Sequence, residues 1–277
     1  MRHQLNTEIG TLLDKVRAST PLIHHITNYV TVNDCANMTL AIGASPVMAD
    51  SIHEVRDMVS IASALVINTG TLNEATVASM LAAAKQANAK GIPLVLDPVG
   101  AGATPYRTET VRQLLQQARF SVIRGNLSEI RVLAGLDEQT RGVDATAVFD
   151  TNSQQQEMQA FIENTARKLN TTLAVTGAVD IVSDGRRTCF IENGRPEMAR
   201  VTGTGCMCSS LTGAFLAVTD DAFLAALAGV LCMGIAGEIA YGNLQPQEGN
   251  ASYRNRIIDA AYHLTAARLA GRARLTG

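Results

Sequence analysis

Six short apolar runs recur through the first two thirds of the chain, and longer helical patterns separate them. This alternation constrains the fold more than any other feature of the sequence, because it is the signature of repeated βα units around a mainly parallel sheet. The expected strands are Leu22–Ile26, Pro46–Ala49, Ala64–Asn68, Pro93–Asp97, Phe120–Ile123 and Thr172–Thr176. Between them lie Val32–Ile42, His53–Ser60, Asn73–Lys90, Tyr106–Ala118 and Asn126–Ala134, each with a helix-period apolar face or an Ala-rich body. Ahead of the first strand, Met1–Ala18 sets Ile9, Leu12, Leu13 and Val16 at helical spacing among charged residues, which predicts an amphipathic helix and not a signal segment.

Several strands run into polar or Gly turns: Asn68-Thr69-Gly70, Asp97-Pro98-Val99-Gly100, Arg124-Gly125-Asn126 and Thr176-Gly177. Such turns gather at one sheet edge, where open α/β sheets bind their ligands. Asp180–Glu192 changes character and reads as an antiparallel hairpin turning at Asp184-Gly185. From Val201 to Gly237 the only charges are Asp220 and Asp221, which read as a turn between two apolar helices, the first of them Ser209–Val218. Asp137–Glu157 is polar and Gln-rich, compatible with a surface loop before a helix Met158–Leu169. No linker, repeat or low-complexity tract divides the 277 residues, so one domain over 1–277 is the simpler organisation.

Charge narrows the function. Lys plus Arg is 23 against 25 for Asp plus Glu, a formal charge of −2, which offers no electrostatic basis for holding nucleic acid or an anionic membrane. With no Trp and only 4% aromatics, stacking platforms for single strands are absent as well, and a small-molecule partner is expected. The five cysteines are scattered without a CxxC pair or a Cys/His ligand rhythm, as suits a reducing cytoplasm. The strongly apolar run Ala222–Gly237 has sixteen residues before Glu238, short of the roughly 18 to 20 that span a bilayer, and reads as a buried helix.

The chemistry concentrates in a few places. Thr202-Gly203-Thr204-Gly205-Cys206-Met207-Cys208 is a glycine-rich turn that opens into an apolar helix. Its backbone can cradle an oxyanion or phosphate, or it can be glycine-rich for packing alone, and spacing does not separate the two. Asn126-Leu127-Ser128-Glu129 presents Glu129 to a Mg2+–phosphate group, or is simply a capping box. Arg124 stands two residues earlier at a strand end, useful to a phosphate or merely a surface arginine. Asp97 closes a very apolar strand ahead of Pro98 and is open to a turn-capping role. His24 and His25 are adjacent on a strand and so point to opposite faces, which excludes a metal shared between them; one is expected in the core and the other at a pocket or the surface. Cys206-Met207-Cys208 has poor disulfide geometry at a helix start, and a buried apolar role suits Cys208.

Taken in order, several of these motifs carry a family resemblance. The chain resembles the hydroxyethylthiazole kinases of thiamine salvage, a ribokinase-like family, from Pro21-Leu22-Ile23-His24-His25-Ile26-Thr27-Asn28 nearly to the C-terminus. The likeness includes Asn33-Asp34-Cys35-Ala36-Asn37, Gly43-Ala44-Ser45-Pro46-Val47-Met48, Leu96-Asp97-Pro98-Val99-Gly100-Ala101, Arg124-Gly125-Asn126-Leu127-Ser128-Glu129 and Thr202-Gly203-Thr204-Gly205-Cys206. It implies a three-layer α/β fold, a mainly parallel central sheet with helices on both faces. It also implies ATP- and Mg2+-dependent phosphorylation of the primary hydroxyl of 4-methyl-5-(2-hydroxyethyl)thiazole, by a homotrimer with active sites between subunits.

By position, the resemblance assigns ATP contacts to Arg124 and Thr176, and the thiazole site to Met48, Gly203 and Asn28. Metal binding falls to Glu129 and Asp97, and the anion hole to Gly203, Thr204 and Gly205 running into Cys206. Ribokinase-like relatives usually carry Asp at position 206 as a general base, so pyrimidine-alcohol kinases and nucleotide-dependent hydrate repair enzymes fit less well. A non-catalytic sensor, in which Cys206 marks a decayed base, is opposed by the retained Asn126–Glu129 and Gly203–Gly205 elements. The resemblance makes Cys206 the catalytic position; because a helix N-terminus can lower a thiol pKa from about 8.5 to roughly 3.5 to 7.5, a partial thiolate is open to it, although adjacent phosphates oppose that.

Overall fold

The computed structural model describes residues 2–136 and 152–277. Helix α1 (Arg2–Ser19) leads into strand β1 (Leu22–Ile26), followed by α2 (Val32–Ile42), β2 (Ser45–Val47), α3 (Val55–Ile61), β3 (Ala64–Asn68), α4 (Glu74–Lys90) and β4 (Leu94–Asp97). Then come α5 (Pro105–Gln117), β5 (Val122–Asn126), α6 (Leu127–Ala134), α7 (Asn152–Leu169) and β6 (Thr172–Thr176). Strands β7 (Asp180–Ser183) and β8 (Thr188–Ile191) form the hairpin, and a short 3-10 helix (Pro196–Arg200) connects to α8 (Thr204–Leu216). Helices α9 (Ala222–Gly242), α10 (Asn250–Tyr262) and α11 (Ala266–Arg272) and strand β9 (Leu275–Thr276) complete the chain.

The nine strands of the described residues lie in one sheet in the order β2-β1-β3-β4-β5-β6-β7-β8-β9. Pairing is parallel from β2 to β6 and antiparallel from β6 to β9. The two sheet faces differ in side-chain size, and this sets the layers. One face presents Leu65, Ile67, Leu94, Leu96, Ile123 and Leu173 to the layer holding α3 to α7. The other presents the smaller Ala64, Val66, Val95, Val122, Ala174 and Val182 to α1, α2 and α8 to α11. Small residues let α8 come close: a Cβ added at Gly213 would lie 2.6 Å from Val66 Cγ2. Ile9, Leu12, Leu13 and Val16 of α1 are all buried in this second layer, as their spacing predicts. Helix α9 is long and apolar enough to cross a membrane by length and composition, but 83% of its most apolar window is buried inside the protein.

The expected three-layer α/β architecture is therefore observed, with local differences that matter for the site. Strand β5 runs to Asn126, three residues beyond the expected end, because Arg124, Gly125 and Asn126 pair in register with Ala174, Val175 and Thr176. Arg124 thus stands on a strand and not in a turn. Helix α8 begins at Thr204, five residues earlier than Ser209, so the glycine-rich segment is its first turn. Strand β2 ends at Val47 and not Ala49, whose carbonyl is taken by the His24 ring (Nε2 to O 2.6 Å). Within the expected loop 137–157, residues 137–151 lie outside the described residues, and 152–157 belong to α7, which starts six residues ahead of Met158. Both His24 and His25 are buried, so neither faces a pocket or the surface.

Close approach of α8 and α9 is the tightest helix contact in the second layer. A Cβ at Gly229 would lie 2.8 Å from both the Cα and the N of Thr212, backbone that cannot move aside. Gly229→Ala is therefore expected to lower stability by about 1 to 3 kcal/mol, the usual cost of overpacking. Urea denaturation should show the loss as a lower midpoint with an unchanged slope.

Candidate active site

The parallel strands end at one edge, and their last residues carry the polar groups. Asn68 ends β3, Asp97 ends β4, Asn126 ends β5 and Thr176 ends β6, while Asn28 follows β1 by two residues. The first turn of α8 is seated over this edge. Gly203 has φ +93, and a Cβ there would meet Thr31 Cγ2 at 2.8 Å, so glycine both turns the chain and admits α2 beside it. A Cβ at Gly205 would collide with the Arg124 guanidinium, which lies directly against the backbone of the turn.

Cys206 sits in that first turn, and two side-chain amides aim N–H groups at its sulfur. Asn28 Nδ2 donates to Sγ at 3.4 Å and Asn68 Nδ2 at 3.2 Å. The amides are themselves locked: Asn28 Nδ2 also donates to Asn68 Oδ1 at 2.9 Å, and Asn28 Oδ1 accepts from the Thr31 N–H and hydroxyl. Position 206 is thus built as an acceptor site. A partial thiolate is disfavoured, because burial pushes the Cys206 thiol up and the Asp97 charge adds to it, outweighing hydrogen bonds from Thr31 and Asn28 and the charge of Arg124. Cys208 is buried as expected, and burial pushes its thiol to about 12.

Asp97 is fully buried and held from three other elements. Its Oδ2 accepts from Asn68 Nδ2 (2.9 Å) and Ser209 Oγ (2.8 Å), and its Oδ1 faces Arg124 Nη1 at 3.5 Å. Arg124 Nη2 donates to Thr176 Oγ1 at 2.6 Å. The guanidinium is incompletely satisfied, since its Nε is buried without a hydrogen-bond partner. Burial lowers the Asp97 preference for its charge and raises its pKa, with Arg124, Ser209 and Asn68 opposing. Arg124 stays cationic: burial works against the charge, and Asp97, Cys208 and Glu129 outweigh it.

Glu129 does form the capping box of α6. Its Oε2 accepts from Asn126 N and its Oε1 from Gly100 N, both at 2.9 Å, while Asn126 Oδ1 accepts from Glu129 N. Burial and then the charge of Asp97 raise its pKa, partly offset by those N–H groups and Arg124. Two buried carboxylates that repel each other fit a divalent cation. Among the described residues, no group of three or more His, Cys, Asp or Glu is placed to cage a metal ion.

Of the residues singled out in the sequence, Asn28, Asp97, Arg124, Thr176 and Cys206 join in one hydrogen-bonded chain, and Glu129 is coupled to it electrostatically. Gly203 and Gly205 flank it, and Thr204 is half-buried between them. Met48 lies past the end of edge strand β2, half-buried and beside β1, outside the hydrogen-bonded chain. Sequence reasoning missed Asn68, which connects Cys206 to Asp97, and Ser209, which ties α8 to Asp97. Asn68 had a visible signal, a polar residue closing a wholly apolar strand. Ser209 had one too, lying three residues after Cys206 on the same helical face.

Sheet order and edge site together define a ribokinase-like α/β protein. A ribokinase-like superfamily protein from Enterococcus faecalis superposes with a TM-score of 0.61 at 12% identity, covering 91% of this chain and 93% of that one. The chain belongs to the hydroxyethylthiazole kinase family, whose pattern it matches over residues 13–267. It is 50% identical over 265 residues to the hydroxyethylthiazole kinase of Clostridium beijerinckii, covering 96% of this chain and 95% of that protein. The structure of the hydroxyethylthiazole kinase protein from Pyrococcus horikoshii superposes with a TM-score of 0.86 at 40% identity, covering 97% and 98%.

One acidic group near Arg124 remains. Asp180, the first residue of β7, accepts from Gly177 N at 2.8 Å, and burial pushes its carboxyl from 3.8 up to about 7, against the pull of that N–H and of Arg124. A raised folded-state pKa contributes stability that is fully present below pH 3.8 and is lost as the pH rises through about 7. Asp180→Asn, which mimics the protonated acid, should therefore match wild type in melting temperature near pH 4 and exceed it increasingly up to pH 7. A constant difference across that range would assign Asp180 an ordinary pKa.

Proposed function

We propose that this protein transfers the terminal phosphoryl group of ATP to the primary hydroxyl of 4-methyl-5-(2-hydroxyethyl)thiazole, with Mg2+, in thiamine salvage. It works as one ribokinase-like domain in the cytoplasm. The observation that carries the proposal is the seating of the α8 first turn, with Cys206, against Arg124 and the Asp97–Glu129 pair at a single sheet edge. Membership of the hydroxyethylthiazole kinase family supplies the acceptor.

In this reading Arg124 and Thr176 bind ATP, and the under-satisfied guanidinium takes the phosphates as partners. The N–H groups of the α8 first turn, from Gly203 through Gly205, receive charge that develops on the transferred group. Glu129 and Asp97 would hold Mg2+, through water where their oxygens are already engaged; when bound, the ion neutralises charge on the phosphates. Met48, Gly203 and Asn28 line the thiazole site, which places the hydroxyl near Cys206. Tyr29 and Val30, 79% and 58% exposed directly after Asn28, support a homotrimer in which a neighbour closes the pocket. Phosphoryl transfer depends mostly on positioning and electrostatics, so a neutral thiol at position 206 is compatible with turnover.

A steady-state ADP-release assay with the thiazole alcohol, a pyrimidine alcohol and no acceptor tests the reading. Release that depends on the thiazole alcohol and yields its phosphate monoester is expected; equal rates without acceptor refute it.

Glu129→Gln replaces two accepting oxygens by one oxygen and an NH2 that opposes an N–H. Stability should fall by about 0.5 to 2 kcal/mol, the range of a lost cap, while turnover falls far more. A drop in melting temperature with full activity would reduce Glu129 to its capping role.

For Cys206 the amide donors make a carboxylate welcome and the burial makes a thiolate scarce. Cys206→Asp is expected to retain or raise turnover, and Cys206→Ala to lose about 10²- to 10⁴-fold if proton transfer contributes. Alanine and wild type with identical rates and pH profiles would make Cys206 a packing residue.

A further inference from the structure

Arg107 lies in the first turn of α5, capped by Thr104, where a cation faces the positive end of the helix dipole. No carboxylate lies within ion-pair distance of it among the described residues. Its guanidinium is spent instead on three main-chain carbonyls in two different loops. Nη1 donates to Thr69 O and to Val99 O, both at 2.8 Å, and Nη2 donates to Gly70 O at 2.7 Å. These loops leave β3 and β4, the strands that end in Asn68 and Asp97.

The decisive feature is what the other ends of those peptide groups do. A peptide unit is planar and trans, so its C=O and the following N–H point in opposite directions as one rigid body. No peptide bond among the described residues is cis. In the Val99–Gly100 unit, Arg107 holds the oxygen while Gly100 N–H donates to Glu129 Oε1 at 2.9 Å. In the Thr69–Gly70 unit, Arg107 again holds the oxygen while Gly70 N–H donates to Asn68 Oδ1 at 2.9 Å. One guanidinium therefore orients two N–H groups, and its charge polarises both peptides so that each N–H is a stronger donor. Gly100, at φ +73, leaves room for this: a Cβ there would lie 3.1 Å from Arg107 Cδ and Nη1.

We propose that Arg107 is a positioning residue that sets the Glu129 carboxylate and the Asn68 amide through these two peptide planes. It fixes the metal-facing and Cys206-facing parts of the site in one act. The inference rests on the reading of Glu129 as a metal-binding group. A lysine cannot replace Arg107, since an ammonium on a flexible stem does not span three carbonyls in the plane of a fork.

The test uses the full chain as wild type, Arg107→Met and Arg107→Lys, the lysine variant carrying the experiment if methionine does not fold. Amide hydrogen exchange at Gly70 and Gly100, read by NMR, needs no activity, and both amides should exchange about 10-fold faster or more in the variants. Mn2+ titration of the ADP-loaded protein should show weaker metal binding by about 10- to 100-fold, the usual effect of removing a group behind a metal ligand. The half-saturating Mg2+ concentration in phosphoryl transfer should rise in parallel, and added guanidinium ion should partly restore Arg107→Met. Wild-type exchange rates at both amides overturn the proposal. So does faster exchange with unchanged Mn2+ affinity, which would make Arg107 a loop tie only. Absence of acceptor-dependent ATP consumption in wild type would instead strike the functional reading, and the exchange arm, which needs neither nucleotide nor metal, would still judge Arg107.

Discussion

Everything at the carboxyl edge of the sheet depends on one buried carboxylate. Asp97 ends β4 at the centre of the parallel strands, with no exposed surface, and is reached by Arg124 from β5, Asn68 from β3 and Ser209 from α8. Desolvating a carboxylate costs several kcal/mol, repaid only when charge and hydrogen bonds surround it well. Satisfying Asp97 therefore requires three other elements to arrive in register. The serine makes α8 one of them, so the helix whose first turn carries Gly203 to Cys206 is docked by the same carboxylate that holds the arginine. A buried ion pair of this kind adds little net stability, and its value lies in specifying a single arrangement.

The small residues of the sheet face supply the other half of that constraint. Valine and alanine under α8 and α9, together with Gly213 and Gly229, bring the two helices close enough for Ser209 to reach Asp97 and for Gly205 to lie against Arg124. Larger side chains would lift α8 away, and Cys206 with it. Packing that looks like ordinary core formation thus sets distances at the edge, a link from residue volume to site geometry that runs entirely through helix height above the sheet.

Periodicity and turn chemistry made much of the fold legible. Leu22–Ile26, Ala64–Asn68 and Thr172–Thr176 are observed with the boundaries read from the sequence, since each is a short, largely apolar or β-branched run bounded by turn residues. The failures have physical causes. Arg124-Gly125-Asn126 has turn-like composition, yet β6 offers it a full set of pairing partners, and tertiary pairing overrides local preference. Thr204-Gly205 has poor helix propensity, yet the packed body of α8 carries the helix through it. The motif residues of the site were readable as types at spacings. Their connections were not, because Asn68, Ser209 and Arg107 act across 29, 112 and 38 residues of sequence.

The two arginines at this edge show how different surroundings give one side chain different work. Arg124 lies against a carboxylate and the backbone of Gly205, its Nη atoms directed at Asp97 and Thr176 and its buried Nε left unpartnered. Arg107 has both Nη atoms committed to backbone carbonyls. A cation committed in this way holds together the loops that follow β3 and β4. Thr69 joins the two systems: its carbonyl is gripped by Arg107, while its N–H donates to the Asp97 carbonyl at 3.1 Å. The backbone of the buried aspartate is thereby anchored from the Arg107 side and its carboxylate from the Arg124 side. A disturbance at either arginine reaches the same residue from opposite ends.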